Sequence, residues 1–430
     1  MTQRGSLRIL WGWRRALARL PFFLRVLGYA LQRKRYPLFK LHGQAGGLLA
    51  VLKLEASLHL TKTLVVGGRQ FTSPSLPGHP SSAFDAVVAR GGLAFTAAGT
   101  AANRNIGMVI LGIAPECAYT CAHCYEARNL PSGAGVPTPR WHTVIRQLQD
   151  AGVGVIVLSG GEPMLRFDLV VDLLREADQG RADFHLHTSG AGVTAQRART
   201  LKAAGLSVVA VGLDDVDPTR FDALRGSPGA FQRAVTALEH FAAAELLTCT
   251  NLCLTRELVR SGDLWRYFDL VRDLGVGMVQ LLEPKPCGGY RGRAVLELLD
   301  EQDRQAVRDF VQAGNTHRRY AQYPLLYDLA EVERSPGIGC TMGGISHFAI
   351  DTAGHVLPCV FAQVSFGSIL AEDLAPILAR MRQAVPVPIH AGCPSLLLSD
   401  QLEALTPGRP GHTPEFAELQ PGWHRTLYGA

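Results

Sequence analysis

The chain has 430 residues, 47% hydrophobic and 19% charged, with nine cysteines and a formal net charge of +6. This composition excludes a disordered chain and allows two domains, or one large domain with appendages. Ten Arg or Lys and no acid fall in residues 1–40, and subtracting them from +6 leaves the rest at −4, so a nucleic-acid-binding body is not expected. Nine cysteines without a secretory signal fit a reducing compartment and metal chemistry better than a disulfide framework. No stretch approaches the ~20 apolar residues that span a bilayer. The expected location is cytoplasmic, with a peripheral position on the inner face of the membrane as an extension of that reading.

In chain order, Leu10, Trp13, Leu17, Leu20, Leu24, Leu27 and Leu31 recur at alternating three and four, while Arg8, Arg15, Arg19 and Arg33 fall on the opposite side. That pattern predicts an amphipathic helix, or two in succession, because Pro21 suits the first turn of a second. Two readings stay open: an interfacial helix whose arginines meet anionic headgroups, and an apolar stripe packed on the protein's own core or on a partner. Between 41 and 104, His42–Gly47 is glycine-rich, Lys62–Val66 predicts a strand and Ser73–Ser81 an irregular loop. No motif there names a fold.

From about 105, apolar runs alternate with helical patterns. Strands are expected at 108–114, 153–159, 184–188, 207–213, 247–254 and 278–283, with helices at 141–149, 169–177, 195–204, 231–244 and 264–274. Strands buried on both faces and separated by helices imply an α/β fold with a parallel sheet and right-handed crossovers, here a partial (β/α)6 barrel. Chemistry in such a barrel gathers at the C-terminal ends of the strands.

Cys117, Cys121 and Cys124 follow the first of these strands, with His123 between the last two. Three thiolates in one loop leave a position open at a metal centre, unlike a four-ligand structural zinc site; a zinc knuckle using His123 is the rival reading. The second strand ends in Ser159-Gly160-Gly161-Glu162-Pro163, whose glycines let the backbone come close to a ligand. Together, in this order, the C-x3-C-x2-C loop and the GGEP run resemble the radical S-adenosylmethionine (radical SAM) enzymes over roughly residues 105–290. The resemblance implies a [4Fe-4S] cluster on Cys117, Cys121 and Cys124, whose free iron binds SAM and whose electron cleaves it to a 5'-deoxyadenosyl radical. It also implies a SAM site shaped by Gly160, Gly161 and Glu162, with Ser189 at the end of the third strand reaching the ribose or carboxylate. Val211-Gly212-Leu213-Asp214 looks like the family's S-[IL]-D-G with Gly212 in place of the serine. Asp222 to Phe231 resembles a D-x-x-R-G-x-x-G-x-F run, where Arg225 either holds a carboxylate or pairs with Asp222. On the fifth strand Cys249, Asn251 and Cys253 share one face by the period of two, and Asn251 directs it into the barrel, towards cofactor or substrate.

Cys340, thirteen residues, Gly354, four residues and Cys359 resemble the gateway of the SPASM and twitch extensions, which bind auxiliary [4Fe-4S] clusters, and Asp351–His355 reads as a hairpin turn. Cys393 follows, and the fourth position falls to Cys287, to a non-cysteine ligand or to none. The organisation expected is a basic amphipathic region at 1–104, a radical SAM core at 105–290, a small twitch-like domain at 291–400 and an extended tail at 401–430. The implied function is radical modification of a peptide, fed by a reductant such as flavodoxin or ferredoxin. The alternatives are a lipid or other small-molecule substrate at a membrane surface, and a metal-binding scaffold without catalysis.

Overall fold

A computed structural model describes residues 7–33, 55–90, 106–130, 135–292, 298–335, 338–406 and 412–429. The glycine-rich stretch at 42–47 and the Pro/Gly run at 407–411 lie outside them. Near the N-terminus β1 (Arg8–Trp11), β2 (Lys62–Val66) and β3 (Arg69–Phe71) form an antiparallel sheet. Six parallel strands follow: β4 (Met108–Ala114), β5 (Val155–Gly160), β6 (Asp183–Thr188), β7 (Leu206–Gly212), β8 (Leu247–Cys253) and β9 (Met278–Leu282). Consecutive strands are neighbours and a helix lies in each connection, which makes the expected partial barrel. β10 (Leu325–Asp328) lies parallel to β9 on one edge and β11 (His347–Ile350) parallel to β4 on the other, with β12 (Val356–Leu357) returning as a hairpin. Residues 291–400 thus continue the barrel sheet at both edges.

Local chemistry sets the helix ends. The helix Thr138–Ala151 stops at Gly152, whose φ of 81° is the left-handed turn glycine makes at least cost. The helix Pro218–Arg225 starts with proline in its first turn, and Asp217 caps the N–H groups of Thr219 and Arg220.

Alternation along the strands separates two cores. Val109, Leu111, Ile156, Leu158, Val209 and Val211 turn outward into the main cluster under the helices. Ala210, Cys249, Met278 and Leu325 are register partners across β7 to β10 and turn inward, where they pack on Leu64, Val66 and Phe71. The small N-terminal sheet therefore seals the barrel interior from the side where the strands begin. Lys62 fixes it there, its Nζ donating to the carbonyls of Gly314, Tyr323 and Pro324 at 2.8, 3.0 and 2.9 Å.

The two ends of the chain differ from the sequence reading. Leu10 belongs to β1, and the helical pattern is carried by α1 (Gly12–Ala18) and α2 (Leu20–Arg33), with Pro21 in the first turn of α2. Arg15 and Arg19 turn inward and share Glu55, at 2.7 Å for Arg15 Nη2 to Oε2 and 2.7 Å for Arg19 Nη2 to Oε1. Glu55, the first acid in the chain, draws both arginines to the protein side. Internal packing does not account for Trp13, Leu17, Leu20 and Leu24, which point outward. At the other end the expected extended tail is helical over Ser399–Leu405 and Phe416–Tyr428. Leu419, Trp423 and Leu427 are buried, and Trp423 Nε1 donates to Ala384 O at 3.0 Å. Burying three large side chains at about 2 kcal/mol each outweighs the roughly 3 kcal/mol that Pro421 costs inside a helix.

Candidate active site

The cysteine loop leaves β4 and crosses the C-terminal ends of the strands, held by backbone bonds from three directions. Gly161 N–H donates to Ala114 O at 2.7 Å and Glu162 N–H to Glu116 O at 2.8 Å. The loop's own Thr120 and Ala122 N–H groups donate to Arg225 O and Leu224 O, and Gly289 N–H donates to Cys124 O at 2.9 Å. A Cβ on Gly161 would stand 2.2 Å from Glu116 O, so this glycine is set by the approach of the cysteine loop itself. Tyr119 N–H points at Cys117 Sγ at 3.4 Å, and Arg225 Nη1 at Cys121 Sγ at 3.8 Å, donors that favour thiolates. Burial raises all three thiol pKa values, Cys124 to about 12, with the neighbouring thiols adding to it. A cationic centre is what such a set needs to ionise. Among the described residues neither these cysteines nor the later ones gather three ligand atoms within 4.8 Å of one another.

Glu162 is fully buried and binds the next strand end. It accepts from Met164 N–H at 2.9 Å, Thr188 Oγ1 at 2.7 Å and Ser189 N–H at 2.7 Å, and also from the Ser189 hydroxyl. Burial raises its pKa while those donors oppose the rise. The Ser189 hydroxyl, expected at the SAM ribose or carboxylate, is thus directed at Glu162 in this structure.

Arg225 is nearly buried and pairs with Asp214, Nη2 to Oδ2 at 2.5 Å. Asp222, its expected partner, instead accepts from Gly229 N–H and Phe231 N–H at 2.5 and 2.9 Å, as a loop brace. The correction explains Gly212: a Cβ there would lie 2.2 Å from Arg225 Nη2. The guanidinium fills the space that a serine side chain would take.

Below the loop lies a cavity of about 270 Å³. Asn251, Gln280 and Tyr327 face it as register partners on β8, β9 and β10, and His123, His187, Cys253, Cys287 and Cys359 also line it. Asn251 Oδ1 and His123 Nδ1 are buried without a hydrogen-bond partner. Such atoms cost about 1–3 kcal/mol each and call for a polar ligand. Burial lowers His123 and His187 to pKa values of about 4, so both are neutral at pH 7. Asn251 was singled out from the sequence; Gln280, Tyr327 and His187 were not. The signal for two of them was present: Gln280 interrupts an apolar strand, and His185 and His187 alternate on β6.

The later cysteines converge from separate elements. Cys340 exchanges backbone bonds with Ile389, just before Cys393, and Gly343 N–H donates to Pro358 O beside Cys359. Burial raises the pKa of each of Cys287, Cys340, Cys359 and Cys393; Cys359 and Cys393 add to the rise at Cys287 and Cys340, and Cys393 to that at Cys359. Cys287 also feels Cys124, so the two thiol sets approach each other there. Burial works against the Lys285 ammonium, but Cys393, Glu283 and Glu333 outweigh it and keep the charge beside these thiols. The hairpin expected at Asp351–His355 joins β11 to β12. His142, Asp172 and Glu176 form a compact ligand set on the surface, but both imidazole nitrogens already contact the carboxylates, at 3.0 and 2.9 Å.

The model of the Radical SAM superfamily matches residues 111–260. The chain is 33% identical over 262 residues to the PqqA peptide cyclase of Streptomyces rochei, covering 58% of this chain and 68% of that protein. It is 26% identical over 293 residues to the GTP 3',8-cyclase of Xanthomonas campestris pv. campestris, covering 64% and 83%. Among solved structures, Streptococcus suis SuiB bound to the precursor peptide SuiA superposes with a TM-score of 0.56 at 16% identity, covering 69% of this chain and 73% of that one.

Proposed function

The chain belongs to the radical SAM superfamily and is an enzyme, a membership that implies SAM and a [4Fe-4S] cluster; from that premise we propose that it modifies a peptide by radical chemistry. Cys117, Cys121 and Cys124 are the proposed cluster ligands. When bound, the cluster and SAM supply a 5'-deoxyadenosyl radical. The chain supplies position and electrostatics. Arg225 offsets negative charge at Cys121, Gly160 and Gly161 admit the cysteine loop, and Glu162 with Ser189 sets the neighbouring strand end. Asn251 and His123 offer their partnerless polar atoms to the bound molecules, and the N-terminal sheet keeps water from the interior.

Cys287, Cys340, Cys359 and Cys393 are the proposed ligands of an auxiliary [4Fe-4S] cluster. Residues 105–290 are the SAM-binding core and 291–400 the auxiliary part, with a flavodoxin or ferredoxin class of donor. A peptide substrate is favoured by the likeness to a peptide cyclase. The observation that supports the reading is one cavity lined by His123 of the cysteine loop, by Asn251 and by Cys287 and Cys359, with two partnerless polar atoms facing it.

Anaerobic reconstitution tests it. The wild type is expected to form 5'-deoxyadenosine from SAM, and Cys121→Ala to form none. The Cys117/Cys121/Cys124 triple alanine variant should keep one [4Fe-4S] cluster, lost on removing Cys340 and Cys359 as well. Persistent SAM cleavage in Cys121→Ala sinks the first assignment, and an iron-free but folded triple variant sinks the second.

A further inference from the structure

The N-terminal helix pair is the motif this function leaves unused. α1 and α2 send Phe22 and Val26 inward against Phe84 and Val88 of α3 (Ser82–Ala89), and Arg15 and Arg19 inward onto Glu55. Trp13, Leu17, Leu20 and Leu24 are left on the outward side, 70, 63, 53 and 58% exposed. Steps of four, three and four make them one stripe. The usual order is inverted: arginines that could stay in water turn inward onto a carboxylate, and leucines that a core could use are wet.

We propose that this stripe docks on an anionic phospholipid bilayer, lying in its interface without crossing it. Charge complementarity selects that occupant. Residues 1–40 hold ten Arg or Lys and no acid, and Arg8 and Arg14 are exposed close to the stripe in sequence. An excess of this kind is drawn to anionic headgroups and is not needed to fill an apolar groove on a partner protein. Among the described residues no helix is long and apolar enough to cross a membrane. Because Arg15 and Arg19 are committed to Glu55 and Arg25 to Asp85, insertion of Trp13 and the leucines carries the binding, and the exposed Arg8 and Arg14 add to the preference for anionic lipid.

The test is sedimentation of the full-length protein with vesicles of phosphatidylcholine alone and of phosphatidylcholine mixed with phosphatidylglycerol. Binding to the mixed vesicles is expected to be at least about tenfold tighter. Leu17→Glu/Leu20→Glu should weaken it by at least about tenfold, while its melting temperature and iron content stay those of the wild type. Lipids brominated in their acyl chains should quench wild-type fluorescence more than that of Trp13→Phe. Wild-type protein that ignores mixed vesicles, a double variant that binds as well as the wild type, or a dimer that the substitutions abolish and vesicles do not displace would each overturn the proposal.

Discussion

At the scale of single residues, two glycines make the proposed site, for a reason that motif matching does not supply. Gly161 is held against Glu116 O, a backbone atom that cannot step aside. Gly161→Ala is therefore expected to cost about 2–3 kcal/mol as overpacking and to lower iron retention, read by thermal unfolding and iron analysis of the reconstituted protein. Unchanged iron content would remove the cysteine loop from the argument. Gly212 differs, because its neighbour is the end of a side chain. Gly212→Ser should push Arg225 off Asp214 and Cys121 and cost about 1–3 kcal/mol. In an Arg225→Met background the serine should cost almost nothing, and this non-additivity in a double-mutant cycle measures the contact. Additive costs would mean that Gly212 answers to something else. The cysteines, both glycines of the GGEP run and Asn251 were legible in the sequence because their spacing is local. Arg225's true partner was not, since Asp214 lies eleven residues away across a strand end and Asp222 fell at helical spacing.

Among the elements, periodicity predicted the six barrel strands closely, because burial on both faces leaves a continuous apolar run that little else in the chain imitates. The hairpin between β11 and β12 was equally legible from its turn residues, and its chemistry gives a pH test. His355 Nδ1 lies 3.0 Å from Asp351 Oδ2, and that bond, against the cost of burial, raises the imidazole above its ordinary value. A raised folded pKa means that the bond stabilises the hairpin fully below about pH 6.5, the unfolded value, and ceases to as pH rises through the folded pKa. Amide exchange at His355 and Val356 should accelerate over that window beyond its intrinsic pH dependence, and a His355 titration at or below the unfolded value would exclude the effect. β2 makes the second test. Lys62 gives N–H bonds to three carbonyls, two of them in buried bonds, so Lys62→Met should cost about 3 kcal/mol through the acceptors left bare. A change below about 1 kcal/mol would show that water replaces the ammonium.

On the scale of the whole molecule, the strand at Lys62–Val66 was legible but what residues 55–90 pack on was not, because their partner is not local. Leu64, Val66 and Phe71 look like any short apolar set until they are seen against Ala210, Cys249, Met278 and Leu325, more than a hundred residues on. The same contact argues that the N-terminal region cannot be removed as an appendage. Its three buried side chains contribute about 2 kcal/mol each, and Lys62 adds its carbonyl bonds; together these approach the ~5–15 kcal/mol by which a domain is stable. Deleting residues 1–90 would also bare the inner barrel wall, an apolar surface with a cavity behind it. The truncated chain is expected to be poorly soluble, to bind hydrophobic dyes and to lose a cooperative thermal transition, even though it retains every cysteine. Deleting only residues 1–33 keeps β2 and β3 and should preserve the transition while lowering its midpoint, because Glu55 and the inner faces of Phe84 and Val88 lose their cover. A 91–430 chain that unfolded cooperatively near the full-length midpoint would show that the barrel closes on itself, and the sealing role of β1 to β3 would have to be abandoned.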